Sequence, residues 1–189
     1  MLLSDKDIKR ALRQGTIVIK PRPNINVQLS SCSIDLRLGR EFRVFQYSSV
    51  SYIDLKNKIP DNLTRKVKIR DKGPFILQPG DFVLASTHEW IELTDNIAAR
   101  LEGRSSLGRI GIVVHATASL VHPGWRGNLV LELGNTARIP VALYPKMRIC
   151  SLSFEYLTTR ADRPAYKNKS SKYVGQKGAV GTKIDKEKI

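Results

Sequence analysis

Short apolar, β-branched runs separated by proline and glycine turns constrain this chain more than any other feature. Phe75 to Ala85 reads FILQPGDFVLA, a strand, a Pro-Gly turn and a second strand. Val141 to Leu152, VALYPKMRICSL, has the same rhythm without being a sequence repeat, and two similar hairpins are expected. From Cys32 the pattern alternates: Ile34, Leu36 and Leu38 face one way, Asp35 and Arg37 the other. Gly39 interrupts, and Glu41 to Phe45 resumes as a strand. Thr16 to Ile19 is β-branched and reads as a strand, after which Pro21 and Pro23 break regular structure. Helical signs are confined to two places. Ser4 to Gln14 has a serine cap, Asp7 three residues on, an apolar side of Ile8, Ala11 and Leu12, and Gly15 as a stop. Ser105 to Ile110 is the second. Many short strands joined by such turns predict a mainly β domain, a sandwich, jelly roll or barrel.

The 189 residues favour one domain with a sizeable core. Residues 46 to 72 are polar and irregular, with Lys56, Lys58, Arg65, Lys66, Lys68, Arg70 and Lys72, and are expected to form a solvated surface excursion. From Arg160 to Ile189 there are nine Lys or Arg against three acids, little apolar content and glycines at 175, 178 and 181. The chain thus divides into a domain over 1–160 and a tail over 161–189. The tail reads either as disordered or as a mobile lid that orders on an anionic ligand; composition alone favours disorder. A formal charge of +15 implies attraction to a polyanion: nucleic acid, an acidic membrane surface or a polyphosphate small molecule. No run of about 18 apolar residues suits a membrane span. MLLSDKDIKR has charges where a signal peptide needs its apolar segment, so a cytoplasmic protein with Cys32 and Cys150 reduced is the simplest reading.

The stretch that asks for a function runs from Glu102 to Asn135, EGRSSLGRIGIVVHATASLVHPGWRGNLVLELGN. Arg104 and Arg109 flank Ser105, Ser106, Leu107 and Gly108. An apolar run from Ile110 to Val114, expected to be buried, leads to His115. Pro123, Gly124 and Trp125 make a turn, and Glu132 is a lone carboxylate inside the strand pattern Leu129 to Leu133. Unpaired charge in sequence patterned for a core costs several kcal/mol, which marks a site. Zinc chemistry is not signalled. His88-Glu89 lacks a second histidine four residues on, no C-x-x-C occurs, and neither a phosphate-binding GK[ST] loop nor a dinucleotide fingerprint is present. A metal-independent carboxylate site remains. Glu132 is either an outward strand residue, which alternation favours slightly, or a general base whose pKa is raised by burial and which Arg109 holds. The two arginines pair surface acids or, with Ser105 and Ser106, grip phosphates. His115 in IVVHA reads as a satisfied core histidine, and Trp125 as packing.

At these residues the chain resembles the dCTP deaminase family, relatives of the trimeric dUTPases. The resemblance covers nearly the whole chain. It rests on LLSDKDIKRAL and PRP near the start, SIDLRLG at 33–39, QPGDFVLA at 78–85, GRSSLGRIGIVVHATA at 103–118, HPGWRGNLVLELGN at 122–135 and SKYVGQKGAV at 171–180. It implies a distorted dUTPase-like β-barrel or jelly roll with a short N-terminal helix and a mobile C-terminal lid. It also implies a homotrimer with sites between subunits, and hydrolysis of dCTP to dUTP and ammonia. Magnesium would be carried by the substrate triphosphate without protein side-chain ligands, zinc would be absent, and dTTP would be a feedback inhibitor. By position, Glu132 becomes the general base that activates water, with Ser105 and the Ala118 carbonyl placing that water. Arg109 supports charge developing at the pyrimidine. Backbone groups of Val130, Leu131 and Glu132 read the cytosine edge, and His122 stands at the sugar 3′-hydroxyl. Within the block that includes Leu107 and Gly108, Arg104 and Ser106 meet the phosphates, and Tyr166, Lys172 and Gln176 close over them. The tail then reads as a lid.

Three departures from the family pattern stand out. His122 replaces the usual Asp, Lys146 follows a proline where Gly is frequent, and the segment from Tyr166 to Lys172 is one residue shorter than in some members. Two rival functions are weighed. A dedicated dUTPase would lack the glutamate and carry a Gly-rich C-terminal motif; a bifunctional deaminase–dUTPase would share these motifs. A basic nucleic-acid-binding module would cluster aromatics with its charge, whereas aromatics are 7% here and scattered; no nucleic acid or membrane partner is expected.

Overall fold

The protein was analysed as a computed structural model that describes residues 1–47, 51–70 and 73–186. The chain opens with helix α1, Asp5–Gln14. Ser4 caps it, its hydroxyl accepting from Asp7 N and donating to the Asp7 carboxylate at 2.8 Å, while Gly15 closes it in the left-handed region. The predicted serine cap is therefore formed, and Ile8 and Ala11 are the buried side.

Eleven strands follow among the described residues. They are β1 (Ile17–Lys20), β2 (Ser33–Phe45), β3 (Thr64–Lys68), β4 (Phe75–Leu77), β5 (Phe82–Leu93) and β6 (Ile97–Gly103), then β7 (Ile112–Val113), β8 (Leu120–Val121), β9 (Arg126–Asn135), β10 (Val141–Leu143) and β11 (Arg148–Tyr156). One-turn helices α2 (Ile25–Gln28) and α3 (Ser105–Gly108) interrupt them. Nine strands form one antiparallel sheet, ordered β7-β9-β5-β2-β11-β6-β8, with β1 added to β5 and β3 to β2. The fold is mainly β, as the strand pattern predicts, and its main sheet curls as a half-barrel.

The curl comes from long strands that change partner. Over Ser33–Arg37, β2 pairs with β11; beyond Leu38 it pairs with β5 on one edge and β3 on the other. The changeover is at Gly39, where an added Cβ would lie 2.8 Å from the Ser86 carbonyl oxygen. Glycine is required there because two backbones touch. The glycine that seemed to interrupt the strand thus bends it without ending it.

Three sequence expectations need correction. The two turns form, but neither makes a hairpin. β4 and β10 leave their following strands and pair with each other, Val141 with Leu77 and Leu143 with Phe75. This small sheet packs into the core, with Phe75 stacked on Phe42 at 4.2 Å and Leu77 and Leu143 fully buried. Residues 46 to 72 are not wholly irregular either. A 3-10 turn, Asp61–Leu63, buries Leu63, and β3 then pairs with Glu41–Phe45. Its Arg and Lys side chains masked the strand, although they are solvated as expected; Lys72 lies outside the described residues. Finally, the apolar run after Arg109 is buried at Ile112 and Val114 only: alternation along β7 turns Val113 to the surface, and Ile110 is exposed in the turn that precedes the strand.

Cys32 and Cys150 are both free, and burial pushes the Cys150 thiol far up from its ordinary value. No helix among the described residues is long and apolar enough to cross a membrane.

Candidate active site

Along β9, Leu129, Leu131 and Leu133 enter the core, so Val130 and Glu132 face the other way. The outward reading of Glu132 is correct for alternation, but outward here means into a cleft. This cleft holds about 410 Å³ and is walled by Val130 and Glu132 of β9, Leu84 of the neighbouring β5, and the 115–122 loop. From that loop come His115, Ala118 and His122, and the tail adds Tyr173, Gln176 and Val180. Glu132 is the one acid in this lining, with its side chain 28% exposed.

Glu132 is fixed from both ends. Its N–H donates to Val114 O at 3.1 Å, and its Oε2 accepts from Ala116 N at 3.0 Å. That N–H, one of the groups expected to read a base edge, is already taken within the chain. His115 packs 3.7 Å from the same carboxylate oxygen, and both its ring nitrogens are buried without partners. The expected satisfied core histidine is therefore a residue of the cleft wall whose ring nitrogens are unsatisfied.

The arginine–serine block is elsewhere. None of Arg104, Ser105, Ser106, Leu107, Gly108 or Arg109 lines this cleft. Ser105, Ser106 and Arg109 are exposed on and beside α3, and the side-chain contacts of Glu132 are to Ala116 and His115, not Arg109. Arg104 is committed to structure: its Nε is 3.2 Å from Asp35 Oδ2 and its Nη1 donates to Arg148 O. The reason is local: α3 follows directly from β6, whose end pairs with β11, so Arg104 emerges over the Asp35–Arg148 pair.

The tail is ordered against its own domain. Gly175 N donates to Arg126 O, Asn128 N to Gln176 O, and Gln176 Nε2 to Asn128 O at 2.8 Å. Lys172 lies beside Tyr173, 6.0 Å from its ring, and its carbonyl accepts from Lys183 Nζ. Tyr166 is outside the cleft, stacked under Arg126 at 5.4 Å.

A family described as dCTP deaminase-like matches residues 2–157. The chain belongs to that family. It is 50% identical over 189 residues to a dCTP deaminase of Thermomicrobium roseum, covering 99% of this chain and 95% of that one. It is 48% identical over 185 residues to a "dCTP deaminase, dUMP-forming" of Dictyoglomus turgidum, covering 98% and 95%. Among solved structures, the 2′-deoxycytidine 5′-triphosphate deaminase from Agrobacterium tumefaciens aligns with a TM-score of 0.64 at 20% identity. That alignment covers 82% of this chain and 48% of the other, so it speaks for the fold.

Sequence reasoning missed a second group, a buried charge pair with its amide partner. Glu89 on β5 is fully buried, taking Arg37 Nε at 2.6 Å and Arg37 N at 2.8 Å. Gln28 Nε2 bridges from Glu89 to the Asp35 carbonyl. The signal that marked Glu132, a lone carboxylate in an apolar strand, is absent at Glu89, which follows Ser86, Thr87 and His88 and shares its strand with Glu92.

Proposed function

We propose that this chain deaminates dCTP, adding water to C4 of the cytosine ring and releasing dUTP and ammonia. The observation that carries the reading is Glu132, the single acid lining a cleft otherwise built of apolar and neutral groups. Its Oε2 is held by Ala116 N, which leaves Oε1 for a water. The carboxylate takes a proton from that water as oxygen bonds to C4, and the ring nitrogen N3 gains a proton. A proton then passes to the exocyclic nitrogen, which leaves as ammonia when the C4 carbonyl forms. Family membership and the relatives' names support the substrate.

In this reading the residues Arg104 to Arg109 come from a second copy of the chain, in a homotrimer with sites between subunits. The support is that Ser105, Ser106, Gly108 and Arg109 are exposed and that the whole block is absent from the cleft of its own chain. Ser105 and the Ala118 carbonyl then place the water, and Arg109 faces the developing charge. Val130 and Leu131 backbone groups meet the base, while His122 meets the sugar. Ser106, Arg104 through its remaining Nη2, Tyr166, Lys172 and Gln176 serve the phosphates, and dTTP competes there.

Among the described residues no three His, Cys, Asp or Glu gather as a metal set. A magnesium ion suits this chain only as a passenger on the triphosphate, where it would neutralise phosphate charge.

A second reading, release of dUMP and pyrophosphate, is favoured by the name of the D. turgidum relative. One incubation with dCTP and magnesium, resolving dCTP, dUTP, dUMP and pyrophosphate, separates the two. No uracil nucleotide at all would overturn both.

A further inference from the structure

Two side chains given no role above grip the tail. Arg43 on β2 donates Nε to Ala179 O at 2.9 Å and Nη1 to Thr64 Oγ1 at 2.9 Å. Its guanidinium lies against Gly181, where an added Cβ would be 3.6 Å from Nη1. Asn128 on β9 sends both Nδ2 hydrogens inward, to Thr87 O at 3.1 Å and Glu89 O at 2.9 Å. Those two bonds fix the amide orientation, so Oδ1 must face the tail, and it accepts from Gly178 N at 3.2 Å. The grips fall on the segment from Gln176 to Ala179, whose two ends are buried. The next three residues, Val180, Gly181 and Thr182, are wall of the Glu132 cleft.

A strap this poor in apolar residues has little hydrophobic burial to hold it, so its place depends on polar contacts. We propose that Arg43 and Asn128 are positioning residues, which act through the tail by holding it where it walls the cleft. Arg43 can do this because its fork serves β3 and the tail together, which a single ammonium cannot reproduce. The consequence for turnover rests on the deaminase reading; the docking of the tail does not.

The test is limited trypsin digestion of the full chain, following cleavage after Lys177 and Lys183 by mass spectrometry, with dCTP kinetics on the same preparations. Arg43→Gln and Asn128→Ala should each speed tail cleavage about fivefold or more, with cleavage elsewhere and melting near wild type. KM for dCTP should rise by a similar factor while kcat stays within about twofold. Arg43→Lys should recover part of the protection. The double variant should fall short of the product of the singles, because both grips hold one strap. If Asn128→Ala melts early through its lost bonds to Thr87 and Glu89, Gln176→Ala takes its place in the trypsin readout alone, since it loosens the tail without touching β5 but is itself assigned to the phosphates. Tail cleavage within about twofold of wild type in these variants would overturn the proposal, as would fully additive effects. If wild type fails to turn over dCTP, the deaminase reading falls and the trypsin rates alone decide the grip.

Discussion

His115 Nδ1 stands 3.7 Å from Glu132 Oε2, and both ring nitrogens of that histidine are buried without a hydrogen-bond partner. The gap is too long for a hydrogen bond, so Ala116 N alone anchors the carboxylate oxygen while the ring shields it from one side. Buried unpaired polar atoms are uncommon and costly, each at about 1–3 kcal/mol. A residue kept only for packing would be apolar. The cost falls beside the single acid of the cleft, where a polar wall has a chemical use.

Glu132→Gln is the direct test of that use. The amide keeps the volume and can still accept from Ala116 N, but it cannot take a proton from water. Deamination should fall about 100-fold or more, with dCTP affinity and melting near wild type. Near-normal turnover by the folded variant would remove Glu132 from the mechanism.

How the sequence announced this site, and where it was silent, follows from the range of the forces involved. Capping of α1 by Ser4 and the alternation in Ser33–Leu38 and Leu129–Leu133 are local, and they were legible. Pairing between β4 and β10 joins residues more than sixty positions apart, and nothing in either turn encodes it. β3 escaped because Arg65, Lys66 and Lys68 hide a strand whose only inward contribution is Val67. In the site, Glu132 could be named from its neighbours. That Arg109 would stand away from it, while Val180 and Gly181 came close, depends on where α3 and the tail fold back. The buried pair Glu89–Arg37 was missed because alternation gives a side chain's direction and says nothing of what covers it.

Magnesium and zinc separate by the same logic of ligand sets. Among the described residues no three His, Cys, Asp or Glu gather, and in the proposed deaminase reading the substrate triphosphate would hold the divalent ion. Removing magnesium should raise the apparent KM for dCTP, whereas a zinc-selective chelator should leave turnover unchanged. Stoichiometric zinc lost together with activity would contradict this.

Glu89 predicts a large stability effect. It is fully buried and its charge is answered by Arg37 at 2.6 Å, so Glu89→Ala strands a guanidinium that is itself 25% exposed. Breaking such a pair costs about 3–5 kcal/mol, against at most about 1 kcal/mol for exposed pairs. Urea unfolding should show the first magnitude for Glu89→Ala and the second for Asp95→Ala, which breaks the Arg160 pair at the surface. Equal small shifts would mean that water reaches Glu89 in solution.

Lys146 is the one non-glycine residue with positive φ among those described, at 68°. A side chain in that region carries strain of about 1–2 kcal/mol, partly offset by the larger unfolded-state entropy of glycine. Lys146→Gly should therefore stabilise the fold by roughly 0.5–1 kcal/mol, read as a higher urea midpoint with an unchanged slope. A loss of stability would show that the lysine side chain holds the turn by contacts that outweigh its strain.

The same lysine bears on the pH dependence of stability. Burial holds the His88 pKa below its ordinary value of 6.5; Glu89 pulls it back in part, and Arg37, Lys146 and Arg40 each push it down by less. The unfolded chain therefore binds this proton at a higher pH than the folded one. Well above pH 6.5 both states are neutral at His88 and the residue adds no slope. As pH falls below that value, the unfolded chain gains a proton that the folded chain refuses, and stability drops until the folded pKa is passed. His88→Gln should remove that part of the acid loss, so the difference in urea midpoint between variant and wild type should widen from pH 7 to about pH 5.5. Lys146→Gly, by withdrawing one of the cations, should shorten the window and leave its upper edge in place. Parallel midpoint profiles for wild type and His88→Gln would show that His88 titrates alike in both states, and that its surroundings are wetter than the packing of β5 implies.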